Sequence, residues 1–229
     1  MRFHRWQPRS YGRKPATVQR FAALALVTLL CAVPPALADE PVKIVALGDS
    51  LTAGLGLPAN EAFPAKLQQA LQRKGIVATV ANAGVSGDTA SGGLARLAWS
   101  VPDGTEAVIL ELGANDALRG INPDVAKAAL DGILSKLNDR HIVVLLAGMR
   151  APRNLGPDYV GAFDAIYPAL ASTHGVVFYP FFLEGVATDP KFNQGDGLHP
   201  NAAGVDVIVA RILPQVEELI ARARKARGS

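Results

Sequence analysis

Beyond residue 38 the chain is a succession of short apolar runs separated by polar, glycine-rich or helical stretches. The runs cover residues 42–47, 76–80, 107–112, 142–147 and 176–182. Each is rich in Val, Ile and Leu and apolar on both faces, the pattern of a parallel strand covered on both sides. Between the runs, apolar residues recur at helical spacing. Phe63, Leu67, Ala70 and Leu71 make one stripe, and Val125, Ala129, Ile133 and Leu137 make another. The second stripe is opened by Asn122 as a cap and Pro123 at the first helical position. Ile208, Ile212 and Leu219 predict a last helix, kinked at Pro214. Strands alternating with helices predict a doubly wound α/β sheet with helices on both sides. The stripes read as ordinary core faces. No internal repeat, low-complexity block or interdomain linker is visible. The cationic tail of Arg222, Arg224, Lys225 and Arg227 reads as a solvated helix end whose charges suit the helix dipole.

The first 38 residues follow a different logic. Arg2, Arg5, Arg9, Arg13, Lys14 and Arg20 precede a stretch, residues 21–33, that is apolar apart from Thr28. Ala36-Leu37-Ala38 then offers a small-x-small cleavage site. This is the pattern of a secretory signal peptide cut after Ala38, too short for a comfortable membrane span. The expected product is a single domain, residues 39–229, that is periplasmic or secreted, keeps no stable membrane anchor and works as a monomer. Removing the leader changes the bulk picture. The whole chain has 23 basic and 20 acidic residues; six of the basic ones lie in the leader, so 17 remain against 20, a net charge of −3. The basic character therefore belongs to export and does not imply a nucleic-acid partner. Cys31, the one cysteine, leaves with the leader, so neither a disulfide nor a thiolate metal site is expected.

The chemistry-bearing residues gather where strands end. Gly48-Asp49-Ser50-Leu51 closes the first run, which puts Ser50 on the rim where open α/β sheets hold ligands. A serine there is a candidate nucleophile and requires a base and oxyanion donors. Three histidines follow the leader. His141 opens an apolar strand and His174 sits in a turn, so both read as structural. His199 lies in Asp196-Gly197-Leu198-His199-Pro200, after the last strand and before the last helix, on the same edge as Ser50. Asp196, three residues earlier, is placed to bond the far ring nitrogen and fix the tautomer. Two other post-strand loops offer donors: the backbone N–H of Gly87 and the side-chain amide of Asn115. Ser86 sits in a near match to a nucleophile elbow, but Asp88 replaces its final glycine, so Ser86 reads as a turn residue. Asp49, Asp88 and Asp116 are alternative orienting acids, and Asp49 and Asp88 are expected to order their own loops through local backbone bonds. No His-x-x-x-His or dense carboxylate cluster suggests a metal, and no Gly-x-Gly-x-x-Gly or phosphate loop suggests a nucleotide. No cofactor is expected.

Gly48-Asp49-Ser50-Leu51, Gly87 in Ser-Gly-Asp-Thr, Gly113-x-Asn115-Asp116 and Asp196-x-x-His199-Pro200 together resemble the four blocks of the GDSL, or SGNH, hydrolase family, in family order. The stretches 48–54, 86–97 and 110–120 are most similar to its small periplasmic arylesterase, acyl-CoA thioesterase I and lysophospholipase L1 type. The resemblance implies a flavodoxin-like three-layer α/β/α fold with a five-stranded parallel sheet. It implies Ser50 as nucleophile, His199 as base and Asp196 as orienting acid. It also implies an oxyanion hole of the Ser50 N–H, the Gly87 N–H and the Asn115 amide. The expected substrate is a small acyl ester or thioester. A carbohydrate acetylesterase on the same scaffold, a non-hydrolytic flavodoxin-like binding module and an accessory protein with an inactive triad are alternative readings. Leu55, Leu57, Leu118, Pro152, Leu155 and Tyr159 lie on nearby loops as candidate walls of an acyl channel.

Overall fold

The structure, a computed structural model, describes residues 1–5, 7, 12 and 40–228. The chain divides into Met1–Ala38 and Asp39–Ser229. Most of the expected signal peptide, with its apolar stretch and its cleavage point, lies outside the described residues. In the second unit the five apolar runs become strands β1 (Val42–Gly48), β2 (Ala78–Gly84), β3 (Ala107–Glu111), β4 (Val143–Ala147) and β5 (Val177–Tyr179). They form one sheet in the order β2-β1-β3-β4-β5, with every neighbouring pair parallel. The connecting helices are α1 (Ser50–Ala53), α2 (Phe63–Arg73), α3 (Ala90–Ser100), α4 (Ala114–Leu118), α5 (Pro123–Asp139), α6 (Pro157–Asp164), α7 (Ile166–His174) and α8 (Ala202–Arg227). Helix α2 packs on α8, whereas α3 packs on α5 and α5 on α7. This is the doubly wound α/β arrangement that the alternation of strands and helices predicts, in the flavodoxin-like five-stranded form that the family resemblance implies. Among the described residues, no helix is long and apolar enough to cross a membrane.

Burial explains both the agreement and the differences. Strand β3 is buried throughout and β1 nearly so, because both have sheet neighbours on each side. Strand β2 lies at the sheet edge and is mostly half-buried or exposed. Its polar end, Asn82 to Gly84, pairs with Ala46 to Gly48 of β1. A criterion of continuous apolarity stops this strand at Val80 and assigns those residues to a loop; the structure extends it to Gly84. At the other edge, β5 spans only three residues, because the chain turns at Pro180. The predicted stripes are buried, except that Val125 is half exposed in the first turn of α5. Pro214 lies inside α8 without interrupting it. His141 precedes β4 in a left-handed conformation (φ 55°) rather than opening the strand. His174 ends α7 and bonds Asp131 at 2.7 Å.

One topological consequence positions the site. Strand β1 is flanked by β2 on one side and β3 on the other, so the chain order reverses beside it. In such sheets the crevice for a ligand opens at the carboxyl end of the strands at this switch point. Ser50 follows β1 by two residues.

Candidate active site

The turn that carries Ser50 is built by its neighbours. Gly48 ends β1 where a Cβ would lie 2.1 Å from Thr52 Oγ1 and 2.6 Å from Glu111 Oε2, so only glycine fits. Its carbonyl accepts from the Val85 N–H at 3.0 Å and from Arg96 Nη2 at 2.8 Å. Asp49 caps α1 by accepting from the Leu51 N–H at 3.0 Å. Ser50 is the first residue of that four-residue helix, which ends at Gly54 in the left-handed region. Asp49 thus orders its loop through a local bond, as expected. Asp88 does not: it pairs with Arg96 (Oδ2 to Nε 2.5 Å). The buried Arg96 also bonds the carbonyls of Ala83 and Gly48, joining the ends of β1 and β2.

The histidine loop reaches the same point from the other end of the chain. Ser50 Oγ lies 2.9 Å from His199 Nε2, across 149 residues of sequence. His199 Nδ1 lies 2.6 Å from Asp196 Oδ2. Asp196 Oδ1 accepts from the backbone N–H groups of Leu198 at 2.9 Å and His199 at 3.0 Å. Those donors, the His199 backbone first and its ring next, hold the Asp196 carboxyl well below the usual carboxylate range. Gln194 ties the two ends together: its amide donates to the carbonyls of Leu55 (2.7 Å) and Pro200 (2.9 Å). Asn201 caps α8 by accepting from the Gly204 N–H.

Asn115 sits in α4 with both amide hydrogens engaged, one on Asp49 Oδ2 at 3.1 Å and one on the Asp88 carbonyl at 2.9 Å. Gly87 adopts φ +83°, and its carbonyl accepts from Arg119 Nη2 at 2.8 Å. Among the described residues, neither the Gly87 N–H nor the Ser50 N–H meets an acceptor. Asp116 accepts from the Ala90 N–H at 2.8 Å, and burial raises its carboxyl. Burial also pushes Asp49 up to about 6, against the lowering effect of the Leu51 N–H and the Asn115 amide.

Ser50, Asn115 and His199 open into a cavity of about 550 Å³. Leu118, Met149, Ala151, Pro152, Phe181 and Leu198 form its apolar walls, and Arg150 and Arg153 reach its edge. The guanidinium of Arg150 stacks over Phe181, 4.7 Å from the ring centre. Of the wall candidates read from sequence, Leu118 and Pro152 line the cavity; Leu55, Leu57, Leu155 and Tyr159 do not. Tyr159 instead donates to the Ile121 carbonyl at 2.8 Å and stacks on Phe163. Met149, Phe181, Gln194, Arg96 and Glu111 are site residues that the sequence pattern does not reveal. Glu111 alone carried a signal, a charged residue within a strand otherwise fit for burial. Among the described residues, no group of acidic, His or Cys side chains is placed to hold a metal ion.

A serine hydroxyl bonded to an imidazole, which is bonded in turn to a carboxylate, can transfer the hydroxyl proton as the oxygen attacks an acyl carbon. Comparison with known proteins points the same way. A model of the GDSL-like lipase/acylhydrolase family matches residues 46–207. An arylesterase of Vibrio mimicus is 42% identical over 178 residues, 77% of this chain and 88% of that protein. Thioesterase 1/protease 1/lysophospholipase L1 of Escherichia coli is 40% identical over 77% of this chain and 84% of its own length. The crystal structure of TesA superposes with a TM-score of 0.73 at 38% identity, covering 77% of this chain and 99% of that one.

Proposed function

We propose a mechanism on one premise: the chain belongs to the GDSL-like lipase/acylhydrolase family and is a carboxylic ester hydrolase. It cleaves esters and thioesters in two steps through an acyl-enzyme on Ser50. His199, with Nδ1–H donated to Asp196, accepts the Ser50 proton at Nε2 as Oγ attacks the carbonyl carbon. The N–H groups of Ser50 and Gly87 are free to receive the oxyanion. Asn115 joins them by giving up its bond to the Asp88 carbonyl, an exchange that keeps its bond to Asp49. His199 then returns the proton to the leaving alcohol or thiol. Water enters by the same route and releases the acid.

The hydrogen-bonded series Ser50–His199–Asp196 carries this reading. The apolar cavity beside it supports an acyl chain longer than acetyl, in keeping with the names arylesterase and thioesterase 1/protease 1/lysophospholipase L1 borne by relatives. Residues 1–38 act as an export leader, and the enzyme works in the periplasm or outside the cell. The test is a panel of p-nitrophenyl esters and acyl-CoA thioesters run on wild type and Ser50→Ala, with fluorophosphonate labelling of both. Wild type is labelled and turns over medium acyl chains. Ser50→Ala takes no label and loses about 10⁴–10⁶-fold in kcat. A variant that still hydrolyses at the wild-type rate would remove Ser50 as nucleophile.

A further inference from the structure

Beneath the nucleophile lies a pair of acids that the proposed hydrolysis does not use. Glu111 ends β3, Asp49 follows β1, and both are closed to solvent. Glu111 Oε2 accepts from Thr52 Oγ1 at 2.7 Å and from the Asp49 N–H at 3.4 Å. Asp49 and Thr52 stand on either side of the Ser50-Leu51 pair, so one carboxyl grips the nucleophile turn at both ends. The other oxygen, Oε1, is buried with no partner among the described residues. The one buried cation nearby does not serve it: Arg96 directs its guanidinium to Asp88, Ser100 and the carbonyls of Ala83 and Gly48. The other titratable groups facing this floor are Asp88 and His199, beside Asp49, and the buried Tyr167, whose hydroxyl feels the charge of both acids. Asp49 is better supplied with donors, the Leu51 N–H on Oδ1 and the Asn115 amide on Oδ2. A carboxylate with an orphaned oxygen, no cation and a second acid beside it is strongly disfavoured in its charged form.

We infer that Glu111 is a positioning residue that holds the Asp49–Thr52 turn, and with it Ser50 and the Asn115 amide, as a proton-bearing neutral acid. The single negative charge of the pair then rests on Asp49. This inference depends on Ser50 being the nucleophile. Burial, and next the charge of Asp49, push the Glu111 carboxyl well above its ordinary value, in the same sense as the hydrogen bonding.

The experiment measures kcat and KM for an ester substrate with wild type, Glu111→Gln, Glu111→Leu and Thr52→Val. Gln is neutral like the protonated acid and keeps an acceptor for Thr52 and Asp49; Leu keeps the volume and removes the acceptor. Glu111→Leu lowers kcat about 10-fold or more with KM unchanged, the scale of one lost buried hydrogen bond. Glu111→Gln restores most of that loss, and Thr52→Val costs several-fold. In parallel, NMR of wild-type protein labelled at its glutamate carboxyl carbons shows one carboxyl still protonated at neutral pH. Equal impairment of the Gln and Leu variants would mean the charge is needed and would overturn the inference, as would full kcat in both. An ionised Glu111 in the wild-type spectrum overturns it even if no variant folds. Retained hydrolysis in Ser50→Ala, by contrast, removes the nucleophile and leaves the spectrum to judge Glu111.

Discussion

Two carboxylates stand on either side of Ser50 in opposite states. Asp196 has a half-exposed side chain and accepts three hydrogen bonds, all from Leu198 and His199. Glu111 is sealed in the sheet, and its donors are about 60 residues away in sequence. The first is held down in pKa and the second pushed up. The residue type does not decide its charge; the count of donors against the loss of water does. An acid that must meet a developing imidazolium belongs at the wet end. An acid that supports backbone can sit in the dry floor provided it keeps its proton.

Asp196→Asn tests the wet side and carries the largest expected effect of the two regions. An amide there favours the wrong tautomer of His199, and turnover should fall about 10³–10⁴-fold. The thermal midpoint should barely move, because the side chain is solvated. A loss of less than about 10-fold would mean the exposed pair with His199 is not needed for turnover. Asn115→Ala comes next and probes the link between floor and oxyanion. Removing one donor should lower kcat about 10²–10³-fold with the fold intact by circular dichroism. Unchanged turnover would leave the two backbone N–H groups as the whole oxyanion hole.

The smallest effect is in stability, and its sign follows from burial. The folded-state pKa of Asp49 is about 6 against an ordinary 3.8. The native state therefore holds this proton more tightly than the unfolded chain. Its contribution is full below about pH 4 and is lost as the pH rises through about 6. Wild type should lose thermal stability over that window relative to Asp49→Asn, whose side chain does not titrate. Parallel melting curves across the window would show that Asp49 ionises as freely as in the unfolded chain and would erase the contrast with Asp196.

The same contrast explains what could be read before the structure. The His199–Asp196 contact is three residues long, and its loop position follows from the alternation of strands and helices. Strands β1, β3 and β4 announce themselves because both faces are covered. Strand β2 is legible only at its start, because an edge strand tolerates polar residues such as Asn82. The Glu111 floor and the Gln194 clamp bring distant segments together through side chains, which no local period encodes. Asp88 illustrates the limit: its partner Arg96 lies only eight residues on, yet a loop acid next to glycines reads equally well as a backbone cap.

Helix α8 carries a last consequence. Its first turn follows directly from the His199 loop, and its last turn places Arg227 on Glu106 and on the carbonyls of Glu40 and Pro41, just before β1. At about 1.5 Å per residue it runs along the strands, from their carboxyl ends to the residues just before β1. Ser50 emerges early in synthesis and His199 149 residues later. If His199 is the base, the nascent chain is chemically silent until the His199 loop reaches Ser50. On the proposed mechanism, hydrolysis reports completed folding.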